Sequence, residues 1–246
     1  MEEKDITDFP SYWSVRSDTY SATVMDDINE GLADNWISLV RARLPKGRLK
    51  ILDVGTGPGF FPMMLGKDHD VTGIDFSEGM LEKAVANTRS KGVECRLLKM
   101  NAEELDFEPE SFDAVVSRNV FWNLPHPEKA YDGIMKVLKK GGKMFIFDGC
   151  YNTNQNRDAE VKDEDAVKKN PYLRYKLSDA MMEKYRMLAE GLPMSNVSRP
   201  EWDMSVLRSK GISSFEVVFS DNLNFYPNDK DRIDTYYFMI CAVKKE

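Results

Sequence analysis

The chain has 246 residues, 34 Lys+Arg against 41 Asp+Glu, a formal net charge of −7, and 42% hydrophobic residues. The apolar fraction suffices for a packed core, and the acidic balance argues against a dedicated nucleic-acid binder, which carries a basic stripe. No apolar run approaches the roughly 20 residues that cross a bilayer.

The N-terminus, Met1-Glu2-Glu3-Lys4-Asp5, is charged and has no apolar signal core behind it. Cys95, Cys150 and Cys241 form neither a metal pattern nor a disulfide framework, and His69 and His126 are far apart in the sequence. A reduced, cytoplasmic protein without a metal or a membrane partner is expected.

In chain order, residues 1–20 are aromatic and polar, and Pro10 with the serines predicts no long helix there. From Thr23 the spacing turns helical: Val24, Ile28, Leu32, Trp36 and Val40 recur every four residues, up to Pro45 and Gly47. A strand over 49–54 leads into the turn Gly55-Thr56-Gly57-Pro58-Gly59 and a helix from Phe60 that closes near Gly66. A second strand over 71–74 ends at Asp75, and Ser77 is the expected N-cap of a helix reaching about Ser90. Strands over 95–100 and 112–117 follow, then a helix from Pro127 to Lys140, the pair Gly141-Gly142, and a strand over 143–148.

Strands alternating with helices at this spacing predict βαβ units and a parallel sheet. After Cys150 the pattern changes. Residues 151–199 read as a helical insertion whose mixed charges mark a solvated face. Pro200 opens a short helix toward Lys210, and strands over 214–220 and 236–243 end the pattern. One domain is expected: an N-terminal segment and helix (1–45), a core (46–150), the insertion (151–199) and a C-terminal helix with strands (200–246).

The turn at 55–59 sits where a strand hands over to a helix. Glycines there let a ligand approach without a Cβ in the way, and a helix N-terminus favours a carboxylate or phosphate. Asp75 stands 22 residues after Asp53, at the end of the next strand, placed to accept from both hydroxyls of a ribose. The dinucleotide pattern G-x-G-x-x-G needs a third glycine at position 60, where Phe60 stands. Asp53 would repel a pyrophosphate but suits an ammonium group. A ligand with an amino-acid end and a ribose end fits both acids, and S-adenosylmethionine is such a ligand.

The stretch from about Lys50 to Gly149 resembles the class I S-adenosylmethionine-dependent methyltransferases. The residues that carry the likeness are Leu52-Asp53-Val54-Gly55-Thr56-Gly57-Pro58-Gly59, Gly73-Ile74-Asp75-Phe76-Ser77 with Met80, Asn101-Ala102-Glu103, Ser111-Phe112-Asp113-Ala114-Val115-Val116, and Leu138-Lys139-Lys140-Gly141-Gly142. The resemblance implies a doubly wound α/β fold with a mostly parallel seven-stranded sheet and an antiparallel last strand. It also implies S-adenosylmethionine as cofactor and S-adenosylhomocysteine as product.

Residue by residue, it implies that Gly55, Thr56, Gly57 and Gly59 line the methionine end, with Asp53 on the amino group. Asp75 clamps the ribose, and Phe76 and Met80 lie against the adenine. Asn101, Ala102 and Glu103 form the loop at the adenine edge, with Asn101 where the family usually has Asp. Ser117, Arg118 and Asn119 face the sulfonium and the substrate, and Tyr20 belongs to an N-terminal segment that in many relatives folds over the cofactor.

On the acceptor side, a hydroxyl acceptor needs a base, whereas an amine or thiolate needs little help. The candidates are His126, Tyr20 and Asp148, the last at the crevice end of the fifth strand. His126 alternatively only starts a surface helix. Tyr12, Trp13 and Arg16, with Tyr20, form either a lid or a packed arm, and Arg16 suits a carboxylate. Phe121 and Trp122 form a substrate wall or belong to the core. Tyr172, Tyr175, Met181, Met182 and Met187 are candidates for the inner face of a substrate cover. A small-molecule methyltransferase is the expectation. Alternatives are a protein, peptide or RNA methyltransferase, or a protein that binds the cofactor without catalysis.

Overall fold

The computed structural model describes residues 2–149, 174, 175, 177–219 and 237–245. Cys150, Tyr172 and the connection over 222–234 lie outside the described residues. In chain order the elements are α1 (Phe9–Asn29), α2 (Ala33–Arg41), β1 (Lys50–Val54), α3 (Phe60–Leu65), β2 (Asp70–Asp75), α4 (Glu78–Ser90), β3 (Arg96–Lys99) and β4 (Phe112–Arg118). They continue with α5 (Pro127–Val137), β5 (Leu138–Gly149), α6 (Asp179–Ala189), α7 (Glu201–Ser209), β6 (Phe215–Phe219) and β7 (Tyr237–Val243).

The strands form one sheet in the order β3-β2-β1-β4-β5-β7-β6. The first five pair in parallel, and β7 runs antiparallel between β5 and β6. This is the expected seven-stranded arrangement with its antiparallel last strand. No described helix is long and apolar enough to cross a membrane.

Side chains alternate faces along a strand, and that alternation divides the core. Leu52, Val54, Val115 and Ile146 pack with Ile134 and Val137 of α5 on one face. Ile51, Val116, Phe145 and Phe147 pack with Trp36 and Ile37 of α2 and with Phe61 and Leu65 of α3 on the other. By the same parity, Asp53 and Arg118 point to the α2–α3 face, while Ser117 and Asp148 point to the α5 face.

Three expectations are corrected. The N-terminal segment is helical from Phe9 onward, because Pro10 sits in the first turn, where no intrahelical N–H is needed. Asp8 caps that turn by accepting from the Ser11 amide at 2.9 Å. The apolar stripe from Val24 to Val40 does pack on one core, but on two helices, broken at Gly31, whose φ of +78° a continuing helix does not allow. Further on, α5 ends at Val137 rather than Lys140, and the β4–β5 register shifts between Phe112 and Ala114.

Candidate active site

The glycine turn is held by its neighbours. The Thr56 amide donates to the Ile74 carbonyl at 2.8 Å, tying the turn to β2. The Gly57 amide donates to Asp75 Oδ2 at 2.8 Å, and the Ser77 amide to Oδ1 at 2.9 Å. Burial raises the Asp75 carboxyl to about 6, against these amides, which favour the charged form. Each carboxylate oxygen has a second lone pair, so two ribose hydroxyls find acceptors there. Gly55 has φ +71°, and a Cβ on it would fall 2.2 Å from Val120 Cγ2. Ser77 caps α4 by accepting from the Met80 amide.

Asp53 is buried at the end of β1, with neither carboxylate oxygen in a hydrogen bond. Burial pushes its carboxyl up to about 7. The nearby Thr56 hydroxyl and Arg118 pull the other way, and Asp75 adds repulsion. It lines a cavity of about 20 Å³ with Tyr20, Gly55, Gly57, Phe60 and Arg118. An uncompensated buried carboxylate is costly. A cation delivered to this cavity, such as the ammonium of an amino acid, supplies the missing partner, so the residues present fit S-adenosylmethionine.

Helix α1 closes the cavity from the other side. Tyr20 Cε1 lies 3.7 Å from where a Cβ on Gly57 would stand. Ser14 Oγ is 2.8 Å from Ser77 Oγ, and the Asn87 amide donates to both Ser21 Oγ and the Pro58 carbonyl at 2.9 Å. Lys83 and Asp18 form an ion pair beside these contacts. At the cavity wall, Arg118 Nη2 donates to Asp27 Oδ2 of α1 at 2.9 Å. The Arg118 guanidinium lies 4.0 Å from the Phe60 ring centroid and 5.1 Å from that of Trp36. Arg16 lies over the rings of Trp13 and Tyr20, and its buried Nε has no hydrogen-bond partner.

The structure brings together Asp53, Gly55, Thr56, Gly57, Gly59, Asp75, Tyr20 and Arg118 around the turn. Phe76 is half-buried and Met80 buried at the start of α4. Asn101 is exposed and its Oδ1 accepts from the Glu103 amide at 3.0 Å; Ala102 is buried. Glu103 Oε1 accepts from the His126 amide at 2.6 Å, which links the loop after β3 to the start of α5. Ser117 Oγ donates to the Val54 carbonyl, holding β4 to β1. Asn119 turns the chain with φ +58°, and its carbonyl accepts from the Trp122 indole at 2.9 Å.

The acceptor-side candidates fall in different places. Asp148 points to the opposite face of the sheet from Asp53 and is held by Arg199 Nη1 at 2.7 Å, both side chains 1% exposed or less. Arg199 also pairs with Asp203, which accepts from the Tyr131 hydroxyl at 2.7 Å, so the carboxylate is closed into a structural network. The His126 side chain is 55% exposed, beside Glu128 at 3.9 Å. Phe121 is core, its ring 4.5 Å from that of Tyr131. Tyr12 is core too, packed with Ile6, Met181 and Tyr185.

Of the expected cover residues, Met181 packs inward, Met182 and Tyr175 are half-buried, and Met187 is 62% exposed. Tyr185 takes the inward role instead and stacks with Trp122 at 5.5 Å. Asp27, Arg199 and Tyr185 went unnoticed in the sequence. The i, i+4 spacings of Met181 with Tyr185 and of Arg199 with Asp203 are the local signals.

Residues 52–146 match a family model described as a methyltransferase domain. The chain is 37% identical over 99 residues to a phosphatidylethanolamine N-methyltransferase of Cereibacter sphaeroides, covering 39% of this chain and 49% of that one. It is 32% identical over 135 residues to a ubiquinone/menaquinone biosynthesis C-methyltransferase of Rhizobium meliloti, covering 51% and 52%. It is also 32% identical over 124 residues to a ubiquinone biosynthesis O-methyltransferase of Pseudomonas putida, covering 50% and 52%. The matches thus span about half the length of these curated relatives.

Among solved structures, it resembles Haemonchus contortus phosphoethanolamine N-methyltransferase 2 in complex with S-adenosyl-L-methionine. The TM-score is 0.61 and the identity 18%, over 87% of this chain and 52% of that one. A methyltransferase of Aquifex aeolicus matches with a TM-score of 0.59 and 21% identity, over 91% and 97%. Residues 52–146 thus match a methyltransferase domain, and over most of its length the chain shares the fold of solved methyltransferases.

Proposed function

We propose that this chain transfers the methyl group of S-adenosylmethionine to a small-molecule acceptor. The observation that carries the reading is Asp53: a buried carboxylate without a hydrogen-bond partner, at the wall of a cavity between a glycine turn and a second acid poised for a ribose. The three relatives named above act on small molecules or lipids by their names, which supports the acceptor class. Bound S-adenosylmethionine supplies a methyl group on a positively charged sulfur, open to in-line attack.

This chain's own part is positioning. Asp53 receives the ammonium group, Asp75 the ribose, and the loop 101–103 borders the adenine. Tyr20, Trp13 and Arg16 of α1 cover the methionine end and exclude water, which strengthens each of these charge contacts. Trp122 and Asn119 border the acceptor's approach, and Trp122 is braced by Tyr185. His126 lies in solvent, Asp148 is held in an ion pair and Tyr20 belongs to the cover, so none of the three is assigned the role of a base. The site therefore suits an acceptor that brings its own nucleophile, such as an amine, a thiolate or an activated carbon, and catalysis rests on orientation.

Thermal unfolding with S-adenosylmethionine, S-adenosylhomocysteine and NAD in parallel tests the cofactor. A ligand at 100 times its Kd adds about 2.7 kcal/mol. Shifts with the first two and none with NAD are expected. A shift with NAD alone refutes the reading. Release of S-adenosylhomocysteine with amine, thiol and phenol panels then assigns the acceptor.

A further inference from the structure

Arg118 and Asp53 line the same cavity from adjacent strands, and strand parity puts both on the face covered by α1. One is a cation and the other an anion. Such a pair fits a zwitterion: an ammonium group on the carboxylate, a carboxylate on the guanidinium.

The guanidinium is fixed in orientation. The Phe60 ring lies 4.0 Å away, Trp36 lies 5.1 Å away, and Asp27 of α1 holds Nη2 at 2.9 Å. Asp27 is fully buried, and the side chains of the pair are 0% and 6% exposed. A planar guanidinium is a five-donor fork and accommodates more than one acceptor in its plane. Asp27 thus keeps Arg118 aimed inside the protein, and it does so from the helix that closes the cavity.

Building on the cofactor reading above, we infer that Arg118 receives the methionine carboxylate of S-adenosylmethionine and that Asp27 is the positioning residue that sets its angle. Docking of α1 then does more than cover the site, because it completes the recognition of the amino-acid end. Asp27 itself touches no part of the ligand.

The test compares S-adenosylmethionine with its decarboxylated form, which keeps the sulfonium and the ammonium and lacks only the carboxylate. Calorimetric Kd values are measured for wild type, Asp27→Asn and Arg118→Met. In wild type the carboxylate is expected to favour S-adenosylmethionine at least tenfold. Asp27→Asn is expected to reduce that preference severalfold, and Arg118→Met to bring it close to one. The ratio is internal to each variant, so a general loss of stability does not mimic it.

If Asp27→Asn does not fold, Asp27→Glu replaces it. The charge is kept, the guanidinium is displaced by a methylene, and the preference is expected to fall in the same way. A wild-type preference retained in the folded variants at both positions overturns the inference while leaving the cofactor reading intact. Failure of wild type to bind either ligand overturns the cofactor reading, and this inference with it.

Discussion

The Gly57 amide donates to Asp75 Oδ2 at 2.8 Å, so the glycine turn and the end of β2 are one hydrogen-bonded unit before any ligand arrives. Asp75→Ala removes the acceptor of two backbone amides as well as the ribose partner. Affinity for S-adenosylmethionine is expected to fall by about 1.5–3 kcal/mol, the scale for hydrogen bonds to a charged group. Titration calorimetry on the folded variant measures it, and unchanged affinity removes the ribose assignment.

Asp53 gives a pH dependence. Its carboxyl is raised from the ordinary 3.8 to about 7 in the folded state, first by burial. Between those values the folded protein holds a proton that the unfolded chain has released. Stability therefore falls as pH rises through that window and levels off above it. Asp75, raised to about 6, acts in the same sense. Asp53→Asn is expected to be more stable than wild type at pH 8 by about 1–3 kcal/mol, at 1.36 kcal/mol per unit less relaxation. It should also bind S-adenosylmethionine worse. Urea melts at pH 5 and pH 8 settle the sign; a less stable variant at pH 8 contradicts the account.

Helix α1 rests on α4 at a position where only a glycine fits. A Cβ on Gly79 would lie 2.9 Å from both the Cα and the carbonyl oxygen of Ser14. Gly79→Ala is expected to lift that part of α1 and cost about 1–3 kcal/mol, as overpacking does. Amide exchange in α1 should quicken and the cofactor should bind more weakly. Wild-type exchange rates in α1 would show that the contact does not anchor the helix.

The two displaced base candidates should behave differently. His126→Ala, at the surface, is expected to leave turnover within about twofold and stability within ±0.5 kcal/mol. Asp148→Ala leaves Arg199 with a lost partner in the interior and is expected to cost about 3–5 kcal/mol. Denaturant melts and turnover on both variants check this. A large turnover loss in a stable His126→Ala would return that residue to the chemistry.

The placement of the glycine turn beside Asp53 and Asp75 is legible because it rests on local rules. A strand, a glycine turn and an acid 22 residues on read the same way in sequence and in space. The N-terminal helix is hidden by Pro10, which breaks a helix in its interior but is tolerated in the first turn, where it stands. Asp148 was misplaced although the signal was present: counting alternate residues along β5 from Phe147 sends it to the other face. Asp27, Arg199 and Tyr185 are different. Arg199 has a local partner in Asp203, four residues on, but its pairing with Asp148, 51 residues away, that of Asp27 with Arg118, 91 away, and that of Tyr185 with Trp122, more than 60 away, follow no local pattern.

Strand order also bears on how the chain is made. β7 follows β6 in sequence yet lies between β5 and β6. During synthesis, β5 waits with one edge unpaired until Tyr237–Val243 has left the ribosome, and β6 has no place in the sheet before then. A chain stopped short of β7 would present the β5 edge, with Phe145, Ile146 and Phe147 along it, as a template for other chains. Loss of the last strand should therefore appear in cells as insoluble protein rather than as a weaker enzyme.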